Sequence, residues 1–504
     1  MSSTRKRTLA SLNDNSKSYI QSNEKYSKQK HLLIVIAGPT AVGKSKVAAK
    51  IGSPDWSRDI LQKHARNNAT DKRIEENTRG HIISADSVQV YEGLQIGANK
   101  PSMKEREQTP HHLIDIVDGR SICQYNAADW MNDAIYVLEN LMDLHLDASD
   151  DGPLEAVSHN TQWENRKHRI DDFISKNKTG STQILPIVVG GTMMYLQWLI
   201  HGRPDAMKPS KNAIEKAGQT ISEFQEQPEE KGWPAAVKYT SELGDMFQKR
   251  VSMLAENDWY RLRRTLEIAF TVLDGDKIDE KLDQLYNGQR EGGIDNNPVF
   301  DVRCFFLCPD DRMTHTAVVD SRCEEMLVKG LLREATDLSL AGMLPEEGQQ
   351  ARAIGYRQAL EYLKREDFKK QDFTAFGNFL NSFTASTRQY AKKQMQWFRK
   401  DDRFIFIPVD VSSEQPIESA ANMIRTFCSW PREEFNKALS KSTIDEHDDE
   451  QSLYSVSTQT KIKNEVQGKK MKFYQPKRHI LVDESDAFNK VLTDADECAL
   501  RLRK

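Results

Sequence analysis

Residues 32–45 read LLIVIAGPTAVGKS, an apolar run that passes directly into a glycine-rich loop. The last eight residues fit the complete G-x-x-x-x-G-K-[ST] pattern of a phosphate-binding loop, and residues 46–51 after it suit a helix. Strand, loop and helix in this order allow backbone N–H groups and a helix N-terminus to surround a phosphate. The stretch therefore predicts a P-loop NTPase-like α/β fold, a parallel sheet flanked by helices, that binds a polyphosphate.

The residues of this loop have separate expected tasks. The glycines let the backbone approach a phosphate, Lys44 supplies charge to it, and the Ser45 hydroxyl is available to a metal ion. The expected phosphate-binding residues are Gly38, Pro39, Thr40, Ala41, Val42, Gly43, Lys44 and Ser45.

The carboxylate that usually accompanies such a loop is not in its usual place. A typical ATPase or GTPase has an Asp after a second apolar strand, where it holds magnesium. The apolar run 184–189 ends instead in Gly190-Gly191-Thr192, and the acid that does follow a predicted strand is Asp86. The pattern leaves three roles open for Asp86: metal ligand, general base, or cap of a helix or turn.

Short apolar runs alternate with helix-compatible segments on both sides of the loop, as is typical of parallel α/β domains. The predicted strands are 32–37, 81–85, 184–189, 301–307 and 404–409.

Polar stretches divide the chain into parts. We expect a catalytic core of 31–203 and 298–409, with surface insertions near 53–80 and 144–182. Residues 204–297 are predicted to be an inserted helical unit, residues 1–30 a disordered leader, and residues 410–504 a largely disordered C-terminal extension with a basic patch at 461–478.

Composition limits the class of protein. The 504 residues include 71 Lys and Arg against 75 Asp and Glu, a net charge of −4, which excludes a bulk polycation but allows local basic faces. The longest apolar stretch, 32–37, is far below the roughly 18–20 residues that span a bilayer, so no membrane segment is expected. The leader has no apolar core, which argues against secretion.

The six cysteines contain no C-x-x-C pair, which predicts free thiols in a reducing compartment. Cys304 and Cys308 with His315 can be read as a metal cluster. Because the two cysteines fall in an apolar, strand-like segment, buried thiols are the better interpretation.

Two basic segments are candidate nucleic-acid surfaces. In 257–267, Arg261 and Arg264 lie one helical turn apart; in 387–400, Arg388, Lys392 and Arg399 share one helical stripe beside apolar residues. A row of cations beside a packed face suits a phosphate backbone, although charged helix faces are more often only solvated.

Taken together, seven blocks of the sequence resemble the tRNA dimethylallyltransferases, also called tRNA isopentenyltransferases. They occur in the order of that family and span about three quarters of the chain. The blocks are GPTAVGKS (38–45), ADSVQVYEGLQIGANKP (85–101), HHLIDIVD (111–118), VVGGTMMYLQWL (188–199), NDWYRLRRTLE (257–267), AIGYRQ (353–358) and TRQYAKKQMQWFRK (387–400).

The resemblance implies a reaction in which the dimethylallyl group of dimethylallyl diphosphate passes to N6 of the adenine 3′ of the anticodon in tRNA. The loop would hold the isoprenoid diphosphate, with Mg²⁺, in place of ATP. Thr40 would lie near the reacting centre, and Asp86 would contact the adenine amine as general base. The residues implied or expected to contact tRNA are Asp86, Ser87, Val88, Gln89, Thr192, Tyr260, Arg261, Leu262, Arg263, Arg264, Arg388, Lys392 and Arg399.

The sequence also departs from the family. The spacing from Lys44 to Asp86 is longer than in compact members, and 53–80 is the extra material. Some eukaryotic relatives carry a C-terminal two-Cys two-His zinc finger, but only Cys428 and Cys498 follow residue 409 here, so no zinc finger is expected.

Three alternatives stay open: an adenylate isopentenyltransferase, a P-loop nucleotide kinase, and a tRNA-binding scaffold without activity. The long basic segments favour tRNA over free nucleotides, and the presence of Thr40, Lys44, Ser45 and Asp86 argues against a scaffold. The expected partners are dimethylallyl diphosphate and the anticodon stem-loop of tRNA, the expected state is a monomer, and the expected location is cytosol, mitochondrion or nucleus.

Overall fold

The computed structural model describes residues 30–68, 74–122, 125–144, 161–178, 182–204, 209–254, 256–273, 290–295, 297–346, 348–440 and 453–503. The chain divides into two compact units, one of residues 1–200 and 294–504 and the other His201–Gly293. The predicted leader, 1–30, lies outside the described residues apart from Lys30.

The larger unit is built on a parallel six-stranded sheet in the order β3-β2-β4-β1-β5-β6. The parallel α/β fold and its five predicted strands are confirmed; the additional β3 has only two residues, too few to form a recognisable pattern. The strands are β1 (His31–Ala37), β2 (Thr78–Ala85), β3 (His111–His112), β4 (Gln183–Gly190), β5 (Phe300–Pro309) and β6 (Phe404–Val409).

Helices cover both faces of the sheet, so its central strands are buried on both sides. Leu33 and Val35 of β1 pack into one apolar core, and Leu32 and Ile34 into the core on the opposite face. A strand between two helical layers is therefore uniformly apolar, as parallel sheets require. The helices of the first part are α1 (Lys44–Gly52), α2 (Pro54–Asn67), α3 (Met103–Gln108), α4 (Ala127–Met142), α5 (Thr161–Asn177) and α6 (Met193–His201).

The two predicted surface insertions are more ordered than expected. The first contains α2, which buries Ile60 in the core, and the second contains α5, which buries Ile170 and Ile174. Their apolar residues recur at helical spacing, but the many charged residues between them obscured this period in the sequence. Residues 69–73, 145–160 and 179–181 lie outside the described part.

The smaller unit has its own apolar core, formed by residues such as Ala217, Ile221, Leu262 and Leu266. Arg203–Pro204 and Arg290–Glu291 form a short antiparallel pair at its ends. Its helices are α7 (Lys211–Gln225), α8 (Glu229–Ser241), α9 (Asp245–Val251) and α10 (Trp259–Leu273).

The C-terminal extension requires a correction. We predicted that 410–504 is largely disordered, but outside 441–452 and residue 504 the structure places four helices there. They bury Phe427, Phe435, Phe488 and Leu492, apolar residues separated by charged patches that lower the mean hydropathy. The helices of this half of the larger unit are α11 (Arg312–Val328), α12 (Leu331–Leu340), α13 (Tyr356–Lys364), α14 (Phe373–Phe398), α15 (Pro416–Ser429), α16 (Arg432–Ser440), α17 (Leu453–Lys470) and α18 (Asp486–Leu502).

Within the described ranges, no helix combines the length and the apolar character needed to cross a membrane.

Candidate active site

The register of the sheet brings three strand ends together. Ala37 at the end of β1 pairs with Gly190 of β4, and Gly190 pairs with Ala85 of β2. The residues that follow these strands, Gly38, Gly191 and Asp86, therefore leave the sheet side by side. In open parallel sheets ligands bind at this carboxyl edge.

A cavity of about 800 Å³ opens at the edge. Its walls combine the loop residues 40–46 and Asp86 with side chains from α11 and α14, which include Arg322, Tyr390 and Gln394. The lining combines cations, which include Lys44 and Arg322, with the carboxylates of Asp86 and Glu325. This combination suits an anionic ligand that reacts with a group placed next to Asp86.

The glycines of the loop are required by its shape. Gly43, immediately before α1, has a φ of 95°, which strains any residue with a side chain. At Gly38 a Cβ atom would lie 2.8 Å from the carbonyl oxygen of Leu307. The loop can therefore keep its path only with glycine at both positions.

Lys44 is held across the loop. Its Nζ donates a hydrogen bond to the carbonyl oxygen of Pro39 at 2.7 Å. Burial and, to a smaller extent, the cationic Arg322 lower the pKa of Lys44, Asp86 opposes both effects, and the resulting pKa is about 7. An unliganded site thus keeps a lysine that is ready to gain a proton when an anion arrives.

Asp86 has one oxygen in use and one available. Its Oδ1 accepts hydrogen bonds from the backbone N–H groups of Val88, at 2.8 Å, and Gln89, at 3.2 Å. Oδ2 accepts none in the described part of the chain, and the residue lines the cavity. The geometry combines the turn cap and an available carboxylate oxygen in one side chain.

Thr40 is fixed from both sides by residues distant in sequence. His315 Nε2 lies 2.9 Å from the carbonyl oxygen of Thr40, so it must be the protonated nitrogen. Burial lowers the pKa of His315 to about 4, which keeps the ring neutral. The buried Gln394 accepts from the Thr40 N–H at 2.9 Å and donates to the Gly191 carbonyl at 2.9 Å.

Removing this amide should loosen the loop. We expect Gln394→Ala to leave the Thr40 N–H unpaired and the Gly191 carbonyl with only the Tyr390 hydroxyl, at 3.3 Å. The change should cost about 1–3 kcal/mol of folding free energy and lower kcat because Thr40 is no longer held. Thermal unfolding and steady-state kinetics measure the two effects. Gln396→Ala, an exposed neighbour on α14, is the control; equal behaviour of the two variants would contradict the role of Gln394.

The other residues expected near the adenine shape the cavity wall. Thr192 Oγ1 accepts from the Ser87 N–H at 3.0 Å. The Gln89 side chain accepts from Ser84 Oγ at 2.8 Å. Val88 is half-buried against the core. These contacts place 87–89 and Thr192 together beside Asp86.

The predicted basic stripe on α14 is not an open face. Arg388 pairs with the buried Asp320 at 2.6 Å, and Arg399 bonds Asn464 of α17 at 3.3 Å. Of the three cations only Lys392 is exposed. Partners from the C-terminal extension and from α11, both remote in sequence, cover the two arginines.

The segment expected to contact tRNA at 260–264 lies on α10 of the smaller unit. The side chain of Leu262 is buried in the core of that unit, so it offers RNA no side-chain contact. Arg261 pairs with Asp258 at 3.0 Å, and Arg263 and Arg264 pair with Glu267 at 3.2 and 2.9 Å. The side chain of Tyr260 lies outside the described part of the structure.

The sequence analysis missed several residues of the site. His315, Arg322 and Lys329 recur every seven residues along α11 and its end, which places them on one helical face. That spacing was a usable signal, but the segment lies outside the resembling blocks. His315 was considered only with Cys304 and Cys308, which are buried in β5.

Comparison with known proteins adds to this geometry. The family model described as IPP transferase matches residues 89–145 and 160–401, more than half of the chain. The chain belongs to the IPP transferase family. The predicted resemblance is thereby confirmed, while the phosphate loop and Asp86 precede the matched residues.

Relatives of this IPP transferase cover most of its length. It is 32% identical over 427 residues to tRNA dimethylallyltransferase 9 of Arabidopsis thaliana, covering 80% of this chain and 76% of that protein. It is 29% identical over 394 residues to tRNA dimethylallyltransferase of Protochlamydia amoebophila (strain UWE25), covering 78% and 88%.

One solved structure, of a eukaryotic dimethylallyltransferase acting on tRNA, has the same fold. It superposes with a TM-score of 0.50 at 21% identity and covers 83% of this chain and 87% of that chain.

Proposed function

We propose that this IPP transferase moves the dimethylallyl group from dimethylallyl diphosphate to N6 of the adenine 3′ of the anticodon in tRNA. The relatives described above are named tRNA dimethylallyltransferases. The observation that carries the proposal is that Lys44, after β1, and the carboxylate of Asp86, after β2, line one cavity at the ends of the two strands that flank β4.

The diphosphate end of the substrate would bind the loop. Backbone N–H groups of 41–45, Lys44 and Arg322 would neutralise the negative charge that develops as the allylic C–O bond breaks. Ser45 Oγ is a hard oxygen donor of the kind Mg²⁺ prefers. A Mg²⁺ ion bound there would add positive charge beside the leaving diphosphate.

The adenine end would lie beside Asp86. N6 forms the new bond to C1 of the dimethylallyl group, diphosphate leaves with the electron pair of the C–O bond, and the N6 proton passes to Asp86 Oδ2. Since Oδ1 is held by two backbone N–H groups, the carboxylate is oriented before substrate arrives. The adenine must leave its stack in the anticodon loop to reach this position.

The direct test is nucleoside analysis of tRNA incubated with the full-length protein and dimethylallyl diphosphate. We expect N6-isopentenyladenosine next to the anticodon and none without protein. AMP as acceptor tests the adenylate isopentenyltransferase, and ATP with small acceptors tests the kinase. Product from AMP alone, or phosphoryl transfer from ATP without prenyl transfer, would replace the proposal.

Dimethylallyl diphosphate affinity should decrease with rising pH. The pKa of Lys44 is about 7 in the unliganded protein, and a bound diphosphate raises it. Above about pH 7 the bound state therefore holds more protons than the free state, so affinity is full below that pH and falls above it, at most about tenfold per pH unit.

Calorimetric titrations between about pH 6.5 and 9 measure this dependence. Lys44→Arg is the control, since a guanidinium remains charged across this range, and its profile should be nearly flat. A flat wild-type profile would mean that Lys44 does not meet the diphosphate.

A further inference from the structure

A basic segment of the C-terminal extension is not used by the site described so far. Residues 466–482, here called the basic strap, contain no Asp or Glu. They form the end of α17, a short turn at Met471–Phe473 and the connection to α18. The five cations of the basic strap are Lys469, Lys470, Lys472, Lys477 and Arg478.

Two buried carboxylates of α11 fix the basic strap to the larger unit. Glu324 accepts hydrogen bonds from the backbone N–H groups of His479, Ile480 and Leu481, at 3.0, 2.5 and 2.7 Å. Asp320, one helical turn earlier, accepts from the Tyr474 hydroxyl at 2.8 Å. Both carboxylates are about 1% exposed. The strap is therefore held in one position on the protein surface.

The lysines of the basic strap point away from these anchors. Lys469, Lys470, Lys472 and Lys477 are exposed, and none has an ion-pair partner in the described part of the chain. Arg478 pairs with Asp483. The nearby carboxylates cannot neutralise the four lysines, because Asp320 is paired with Arg388 and Glu324 is occupied by backbone N–H groups.

The position of the basic strap relates it to the RNA substrate. It packs on α11 and contacts Arg388 of α14 through Tyr474, while the same two helices supply Arg322, Tyr390 and Gln394 to the cavity. The strap thus covers an arginine that sequence spacing had assigned to RNA and presents four lysines on the surface of the larger unit. Fixed, unpaired cations gain most from phosphates, because binding releases the counterions of the RNA without ordering a loose tail.

We propose that the basic strap binds the phosphate backbone of the RNA substrate outside the catalytic cavity. The inference rests on the proposed function for the identity of that RNA. The lysines of the basic strap require only a phosphate backbone and do not require a particular RNA sequence. The strap should therefore contribute to KM for tRNA and to its salt dependence, with little effect on the chemical step.

The test compares two full-length variants with the same change in charge. The first is K469Q/K470Q/K472Q/K477Q. The second, the control, is K104Q/K364Q/K369Q/K370Q, which removes four exposed lysines elsewhere on the same unit. Affinity for an unmodified tRNA transcript is measured from 50 to 200 mM salt, together with kcat and the thermal midpoint.

We expect the strap variant to lower the salt slope by about one unit per lysine that contacts a phosphate. With four such contacts, the ratio of wild-type to variant affinity for tRNA would decrease about 100-fold as the salt concentration rises from 50 to 200 mM. The control, kcat at saturating tRNA and the thermal midpoint should stay near wild type. Equal salt slopes for the two variants would overturn the proposal.

Two further results distinguish RNA binding by the strap from membrane binding, and failure of this proposal from failure of the proposed function. Loss of binding to vesicles of anionic lipid, with tRNA affinity unchanged, would assign the strap to a membrane surface and overturn the proposal. If the proposed function is wrong, the wild-type reaction will form no N6-isopentenyladenosine. That measurement does not involve the strap variant, so the two proposals can fail separately.

Discussion

Replacing Asp86 with Asn should lower kcat for dimethylallyl transfer by about 10²–10⁴, while tRNA and dimethylallyl diphosphate still bind. The substitution is well matched to this site because the turn uses only Oδ1, which accepts from the N–H groups of Val88 and Gln89. The Asn side-chain oxygen can keep both hydrogen bonds. What is lost is the ability of the second oxygen to take a proton, so the chemical step should suffer far more than binding.

The variant Asp86→Ala separates the roles that the sequence left open. It removes the base and the cap together, and we expect it to reduce stability by roughly 1 kcal/mol in addition to the loss of turnover. A metal ligand would instead give Asp86→Asn a weaker, Mg²⁺-dependent affinity for dimethylallyl diphosphate. Near-normal turnover of Asp86→Asn on a cognate tRNA would remove this residue from the mechanism.

Replacing Lys44 with Ala should reduce dimethylallyl transfer by about 10²–10³, the usual cost of one lost electrostatic contact to a developing anion. The ammonium group already faces the interior of the loop, 2.7 Å from the Pro39 carbonyl. Its loss affects both capture of the diphosphate and stabilisation of the departing charge. Steady-state kinetics with dimethylallyl diphosphate as the varied substrate should therefore show a higher KM and a lower kcat.

We do not expect the loss of transfer activity in Lys44→Ala to result from unfolding of the variant. Burial of Lys44 disfavours its charged form, which offsets the lost hydrogen bond to the Pro39 carbonyl, so the thermal midpoint of the Ala variant should stay near that of the wild type at neutral pH. Lys50→Ala is the matched control on the same helix, since Lys50 pairs with Glu418 at 2.9 Å and does not line the cavity. Transfer by Lys44→Ala within a few-fold of that control would show that the diphosphate binds elsewhere.

Local chemistry explains which parts of the structure could be predicted. The loop, the strand before it and the position of Asp86 after β2 depend on neighbouring residues. The family resemblance adds the order of the blocks. The five longer strands were visible because burial on both faces makes each of them a continuous apolar run.

The contacts that sequence could not predict join residues far apart in the chain. Arg388 and Asp320 are separated by 68 positions, and Arg399 and Asn464 by 65. The spacing of residues along one helix contains no information about such distant partners. Two arginines that make internal contacts therefore had the same sequence pattern as an RNA-binding stripe. The C-terminal helices were missed for the same reason, because their apolar residues are stabilised by packing against a core that lies far away in the sequence.

The hydrogen bonds around Thr40 have a consequence for how the protein is made. Its two partners are encoded 275 and 354 positions later, and β1 lies in the sheet between β4 and the much later β5. At about 5–20 residues per second a ribosome needs on the order of tens of seconds to translate that interval. During this time β1 has emerged without its neighbour β5, and the phosphate loop has no support on either side of Thr40. The phosphate loop therefore stays incomplete until most of the message has been read, and a prematurely terminated product ending before Gln394 cannot assemble the site.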